Sequence, residues 1–97
     1  MPKGYIIVDM TVTNPGGEFA EYRDNVSATI EAFGGRYLVR GGSAALVEGD
    51  VRPGIMGIVE FESRERAMEW YNSAAHQKIL PFRTNNATTR LLCATGT

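Results

Sequence analysis

A chain of 97 residues has room for one domain, residues 1–97, built on a single modest core. Its 43% apolar and 22% charged content is that of a globular protein, and ten basic against eleven acidic side chains leave a formal charge of −1. That balance gives no electrostatic footprint for nucleic acid or for an anionic membrane surface.

Residues 5–13 alternate: Ile6, Val8, Met10 and Val12 share one face, and Tyr5, Ile7, Asp9 and Thr11 the other. Period two marks a half-buried strand. Asn14 and Pro15 then read as a helix start, because Asn caps well, Pro fits the first turn and Glu18 complements the dipole. Phe19, Tyr22, Val26, Ile30 and Phe33 recur at three- and four-residue spacing, a single apolar stripe. Gly34 and Gly35 end that helix.

Residues 36–40 form a short second strand, Gly41 and Gly42 a bend, and residues 44–48 an extended piece able to pair back as an arm. Residues 49–54 are a loop on composition. Residues 55–61 are the clearest central strand. Ser63 caps a second helix with Glu65 in its first turn, and Ala67, Trp70, Tyr71 and Ala74 supply its apolar face. His76, Ile79, Leu80 and Arg83 continue at helical spacing, but Pro81 predicts a break there. Residues 88–94 are the last strand. The order β-α-β-β-α-β, with two one-sided helices, defines an α+β two-layer sandwich.

RNA-recognition domains share that order, and the run from Gly57 to Phe61 echoes their strand motif. Those domains stack bases on outward aromatics. Here the outward positions are Met56 and Ile58, which carry no ring, so no nucleic-acid partner is expected. With Tyr5 and Ile7 they make an aliphatic patch on an open sheet, and such a patch seeks cover. A second copy packed sheet against sheet is the favoured cover, which predicts a homodimer through the open face. The rival is cover from within the chain, by the last strand and the 44–48 arm.

Cys93 is alone, so neither an intrachain disulfide nor a Cys-rich metal site can form. With no run of about 20 apolar residues and no leader pattern at the N-terminus, no membrane partner and a cytoplasmic location are expected. Phosphate-binding glycine loops and a GxSxG elbow are absent, and no metal or cofactor is implied.

The candidate site residues are therefore few. His76 is the one side chain that titrates near neutrality and is the first candidate for a general base. Asp9, mid-strand on the face away from the helices, is a second candidate base or a hydrogen-bonding group at the dimer seam. Arg40 would pair with Glu48 or grip a ligand carboxylate. Trp70 and Tyr71 point in different directions, with Trp70 toward the core and the Tyr71 hydroxyl toward a cleft. Arg83 would bring positive charge to the same cleft. Cys93 reads as a small buried residue.

The blocks Gly34-Gly35-Arg36-Tyr37-Leu38-Val39-Arg40-Gly41-Gly42, Leu46-Val47-Glu48-Gly49-Asp50, Val59-Glu60-Phe61-Glu62-Ser63 and Ala67-Met68-Glu69-Trp70-Tyr71-Asn72-Ser73 resemble the DUF1330 family of the dimeric α+β barrel superfamily. The resemblance spans nearly the whole chain and implies a ferredoxin-like protomer in a barrel formed across a dimer. Arg40 matches the family pattern. Val51 stands where the family commonly has Trp, and Ala74-Ala75-His76 where it commonly has Pro-Glu-Tyr, so a family ligand preference does not transfer. The resemblance carries no reaction; the wider superfamily includes cofactor-free monooxygenases, isomerases and haem-degrading enzymes, and fold alone does not assign function.

The expected function is binding of a small organic molecule between sheet and helices, with cofactor-free catalysis as one reading. A non-catalytic ligand-binding or regulatory dimer is the alternative.

Overall fold

The computed structural model describes residues 2–97. Seven elements follow in chain order: β1 (Gly4–Val12), α1 (Gly17–Ala32), β2 (Arg36–Gly42), β3 (Ile55–Phe61), α2 (Arg64–Asn72), α3 (Ala74–Thr84) and β4 (Ala87–Thr95). The strands form one antiparallel sheet in the order β2-β3-β1-β4. The helices cover one face of it, which gives the expected two layers.

The alternation in β1 sets the sheet's two faces. Ile6 pairs with Val59 and Cys93 on the helix side, whereas Ile7 pairs with Ile58 and Leu92 on the open side. Ile6, Val59 and Phe61 from the sheet, Tyr22, Val26 and Ile30 from α1, and Ala67 and Trp70 from α2 make the core. Gly35 admits the close approach of Ile30 and Phe61 at the turn into β2, where a Cβ would sit 2.6 Å from the Ile30 Cγ2.

The β2–β3 pairing slips twice, between Tyr37 and Val39 and between Arg40 and Gly42. Gly41, at φ 66, occupies the second slip in the left-handed conformation that glycine tolerates. Strict period two would put Tyr37 and Arg40 on opposite faces. The first slip cancels that offset, so both side chains reach the helix side.

Three local expectations change. Helix α1 begins at Gly17 with Gly16 as its cap residue, and not at Asn14. The Asn14 amide is already committed: its Nδ2 donates to Asn86 Oδ1 at 2.9 Å, and its N–H to the Asn86 carbonyl at 3.0 Å. Pro81 does not break the second helical region; α3 runs through it to Thr84. The break lies at Ser73, whose backbone is extended at φ −65, ψ 150. Ser73 Oγ donates to the Trp70 carbonyl at 2.7 Å and accepts the His76 N–H at 3.3 Å, so one side chain closes α2 and opens α3. Residues 43–54 form no strand. They pass over one end of the open sheet face and enclose a shallow recess with Ile7, Met56 and Leu92. No helix among the described residues is long and apolar enough to cross a membrane.

Candidate functional site

A cavity of about 390 Å³ lies between the helix side of the sheet and helix α1. That volume suits a small organic molecule. Its walls are mainly apolar: Ile6, Val8 and Val59 from the sheet, Phe19, Val26 and Ile30 from α1, and Trp70 from α2. Its polar groups are Tyr22, Tyr37, Arg23, Arg40 and Arg83, and no described carboxylate lines it.

Arg83 comes from the last turn of α3 and is only 5% exposed. It forms no ion pair among the described residues. Its Nη1 donates to the Tyr22 hydroxyl at 3.0 Å, its guanidinium lies over the Tyr22 ring, and its buried Nε has no hydrogen-bond partner among the described residues. A buried cation normally sits with an anion. Here the neighbouring space is a cavity.

Behind Tyr22 stands His76, fully buried in the first turn of α3. Its Nδ1 lies 2.9 Å from the Tyr71 carbonyl oxygen. A carbonyl only accepts, so Nδ1 carries the proton of the neutral ring. Nε2 is then the acceptor, and the Tyr22 hydroxyl donates to it at 3.1 Å. The bonds therefore run in one direction: Arg83 to Tyr22, Tyr22 to His76, His76 to the Tyr71 carbonyl. Burial holds His76 below its ordinary pKa and the Arg83 charge adds to this, while the Tyr71 carbonyl opposes. Burial raises the Tyr22 hydroxyl, and Arg83 opposes that. Both groups are thus neutral near pH 7. The ring centroid of Trp70 is 4.2 Å from that of His76 and fixes the imidazole from one side.

The sequence candidates separate into distinct places. Arg83, Arg40 and Trp70 line the cavity, Trp70 with its indole stacked on Phe61 and its Nε1 donating to Thr29 Oγ1 at 3.0 Å. Arg40 lies over the Tyr37 ring and makes no ion pair with Glu48. Glu48 is exposed in the 43–54 loop. Asp9 lies on the open sheet face, where its Oδ1 accepts the Gly54 N–H at 2.7 Å and so ties the end of that loop to β1. Asp9 and Glu48 thus share the recess on the open face, away from the arginine-lined cavity. His76 and Tyr71 are not cavity-lining; His76 reaches the cavity through Tyr22. Tyr22 was absent from the sequence candidates, since it stands in the stripe Phe19, Tyr22, Val26 where an aromatic reads as core.

This architecture, a four-stranded antiparallel sheet backed by helices and enclosing a cavity beneath them, defines a ferredoxin-like α+β protein. Residues 3–97 match the family described as "Domain of unknown function (DUF1330)", and the chain belongs to it. No curated protein matches the chain. Its fold is similar to that of a protein of unknown function, RPA0582, from Rhodopseudomonas palustris, with 15% identity, TM-score 0.76 and coverage of 99% of this chain and 83% of that one. SnoaB of Streptomyces nogalater, described as a cofactor-independent oxygenase, is similar at 12% identity and TM-score 0.67 over 100% of this chain and 95% of its own. A dimeric ferredoxin-like protein of unknown function from Jannaschia sp. CCS1 is similar at 10% identity and TM-score 0.57, over 95% of this chain and 97% of its own.

Proposed function

We propose that this protein is a homodimer that binds a small organic anion with an apolar body in the cavity between sheet and helices. One observation carries the reading: Arg83 is buried, has no acidic partner among the described residues and borders an apolar cavity that no described carboxylate lines. A carboxylate or enolate oxygen supplies the missing anion. Arg40, exposed and lining the cavity, gives an approaching anion a positive entrance; Arg23 also lines it, paired with Asp24 at 3.3 Å. The apolar walls then account for the rest of the ligand at about 25 cal/mol per Å² buried.

The dimer rests on the open sheet face, where Leu92 is 56% exposed beside Ile7 and Ile58, and on fold neighbours described as dimeric. Thermal-shift measurements with benzoate, phenylglyoxylate and 1-naphthoate test the ligand class. Stabilisation by these anions and none by the matching primary alcohols supports the reading. Equal response to acids and alcohols, or none to either, counts against it. Binding without turnover of any panel member corresponds to a non-catalytic or regulatory dimer.

A further inference from the structure

Arg83, Tyr22 and His76 form a directed hydrogen-bond chain that begins at the cavity and ends in the protein interior. Anion binding alone needs Arg83. It does not need an imidazole placed behind the tyrosine with its free lone pair turned to the phenol. From this arrangement we infer that Tyr22 is a catalytic acid–base whose proton is exchanged with His76, and that the site interconverts keto and enol forms of a 2-oxo acid with an apolar side chain. The inference rests on the anion-binding reading above.

The ligand class follows from the spacing. A 2-oxo acid presents a carboxylate oxygen and a keto oxygen side by side, which one guanidinium grips in bidentate fashion. Arg83 Nη1 is 3.0 Å from the Tyr22 oxygen. A keto oxygen held on Arg83 therefore brings the carbon next to that carbonyl up to the Tyr22 oxygen. The apolar walls take the side chain on that carbon.

The step balances within the site. The Tyr22 O–H proton passes to His76 Nε2, and the phenolate oxygen takes a proton from the ligand carbon. The electron pair of that C–H bond becomes the C=C bond, and the carbonyl π pair moves onto oxygen, where Arg83 meets the enolate charge. The proton on Nε2 returns through Tyr22 to the enolate oxygen or to carbon. His76 Nδ1 keeps its proton on the Tyr71 carbonyl throughout. No oxidant, metal or second substrate takes part in this exchange.

The probes are phenylpyruvate, which enolises, and phenylglyoxylate, which carries no proton on the neighbouring carbon. In D2O, proton NMR should show protein-dependent loss of the phenylpyruvate methylene signal above the buffer rate. Tyr22→Phe should slow this exchange by about 100-fold or more while phenylglyoxylate still binds. His76→Gln should slow it by about 10- to 100-fold and should remove the fall in rate at acid pH expected of the native protein. If Tyr22→Phe does not fold, His76→Gln carries the test by the same two readouts. The chain has one histidine, so 15N-histidine labelling reports His76 alone. Its spectrum should show Nδ1 protonated and Nε2 unprotonated in the free protein.

Binding of both probes with no exchange above buffer overturns the acid–base assignment and leaves the anion site standing. Exchange unchanged in the folded variants, or a proton on Nε2 in the free neutral protein, overturns it as well. Failure of both probes to bind sinks the anion-binding reading, and this inference with it.

Discussion

Arg83 Nη1 donates to the Tyr22 hydroxyl across 61 residues of sequence, and this bond is the only hydrogen bond the buried guanidinium makes to another described side chain. A charge so placed is poorly compensated by the protein itself. Such groups are commonly retained for function at a cost in stability.

Arg83→Met should therefore separate the two. Methionine fills similar volume without the charge, and Tyr22 keeps its bond to His76. Stability should rise by about 1 kcal/mol, while stabilisation by benzoate or phenylglyoxylate disappears. Chemical denaturation and thermal-shift titration read the two effects separately. A loss of more than about 2 kcal/mol would make Arg83 a structural residue.

The pH response of stability should be traceable to His76. Its folded pKa is depressed, chiefly by burial, from an ordinary value near 6.5. Above that value neither state binds the proton, and the native state keeps its full advantage. As pH falls below about 6.5, the unfolded chain protonates first, so stability declines until the folded pKa is reached. Glu60, held below its ordinary value of 4.5 mainly by its hydrogen bond from Arg36, acts in a lower window. Urea titrations at pH 8, 6.5 and 5 should show a decline in the native protein across the last interval. His76→Gln should be flatter over the same interval, whatever its absolute stability.

The parts of this fold that were legible in the sequence are those governed by local period. β3 and the stripe on α1 follow directly from spacings of two and of three to four. Ser63 was legible as a cap because capping is decided within three residues, and its Oγ accepts the Arg66 N–H at 3.0 Å. Pro81 misled because its missing N–H costs only one bond here, three residues from the helix end. The last turn is held instead by one tertiary tie, Arg83 bonded to Tyr22, and by a local bond in which the Phe82 carbonyl accepts from Asn86 Nδ2 at 2.8 Å. Asn14 misled for the same reason, since its partner Asn86 is 72 residues away. Arg83 stood out as a charge at the end of an apolar stripe. Tyr22 did not, because its hydroxyl acquires meaning only from His76 and Arg83, which the fold delivers from 54 and 61 residues downstream.

Trp70 should act as the pin that holds this arrangement. It stacks on Phe61 with ring centroids 5.7 Å apart, touches His76, and donates to Thr29 Oγ1. Trp70→Phe removes the indole bond and leaves space beside the imidazole, and should cost about 2 kcal/mol. Thr29→Ala should cost about 1 kcal/mol by leaving the indole N–H unpaired. The two costs should fall short of additive in the double variant, because each alone breaks the same bond. Circular dichroism during urea unfolding measures all three. Strict additivity would show that the Trp70–Thr29 bond contributes nothing.

The open sheet face should behave as a protein interface. Ile58 lies at its centre, paired with Ile7 on one side and Val39 on the other. Val47 in the adjoining 43–54 loop is 94% exposed, so the apolar surface extends beyond the sheet. Uncovered, a patch of this kind is an aggregation liability; covered by a second copy, it is an ordinary two-fold interface. Sedimentation at micromolar concentration should therefore give twice the mass of one chain. Ile58→Asp should give a folded monomer, since the residue belongs to the open face and not to the core between sheet and helices. The monomer should keep the Arg83 cavity intact but bind the probe anions no more tightly than the dimer does. A native protein that sediments as a monomer, or an Ile58→Asp variant that remains dimeric, would show that this face is covered by the loop or left to solvent, and that dimers, if they form, use another surface.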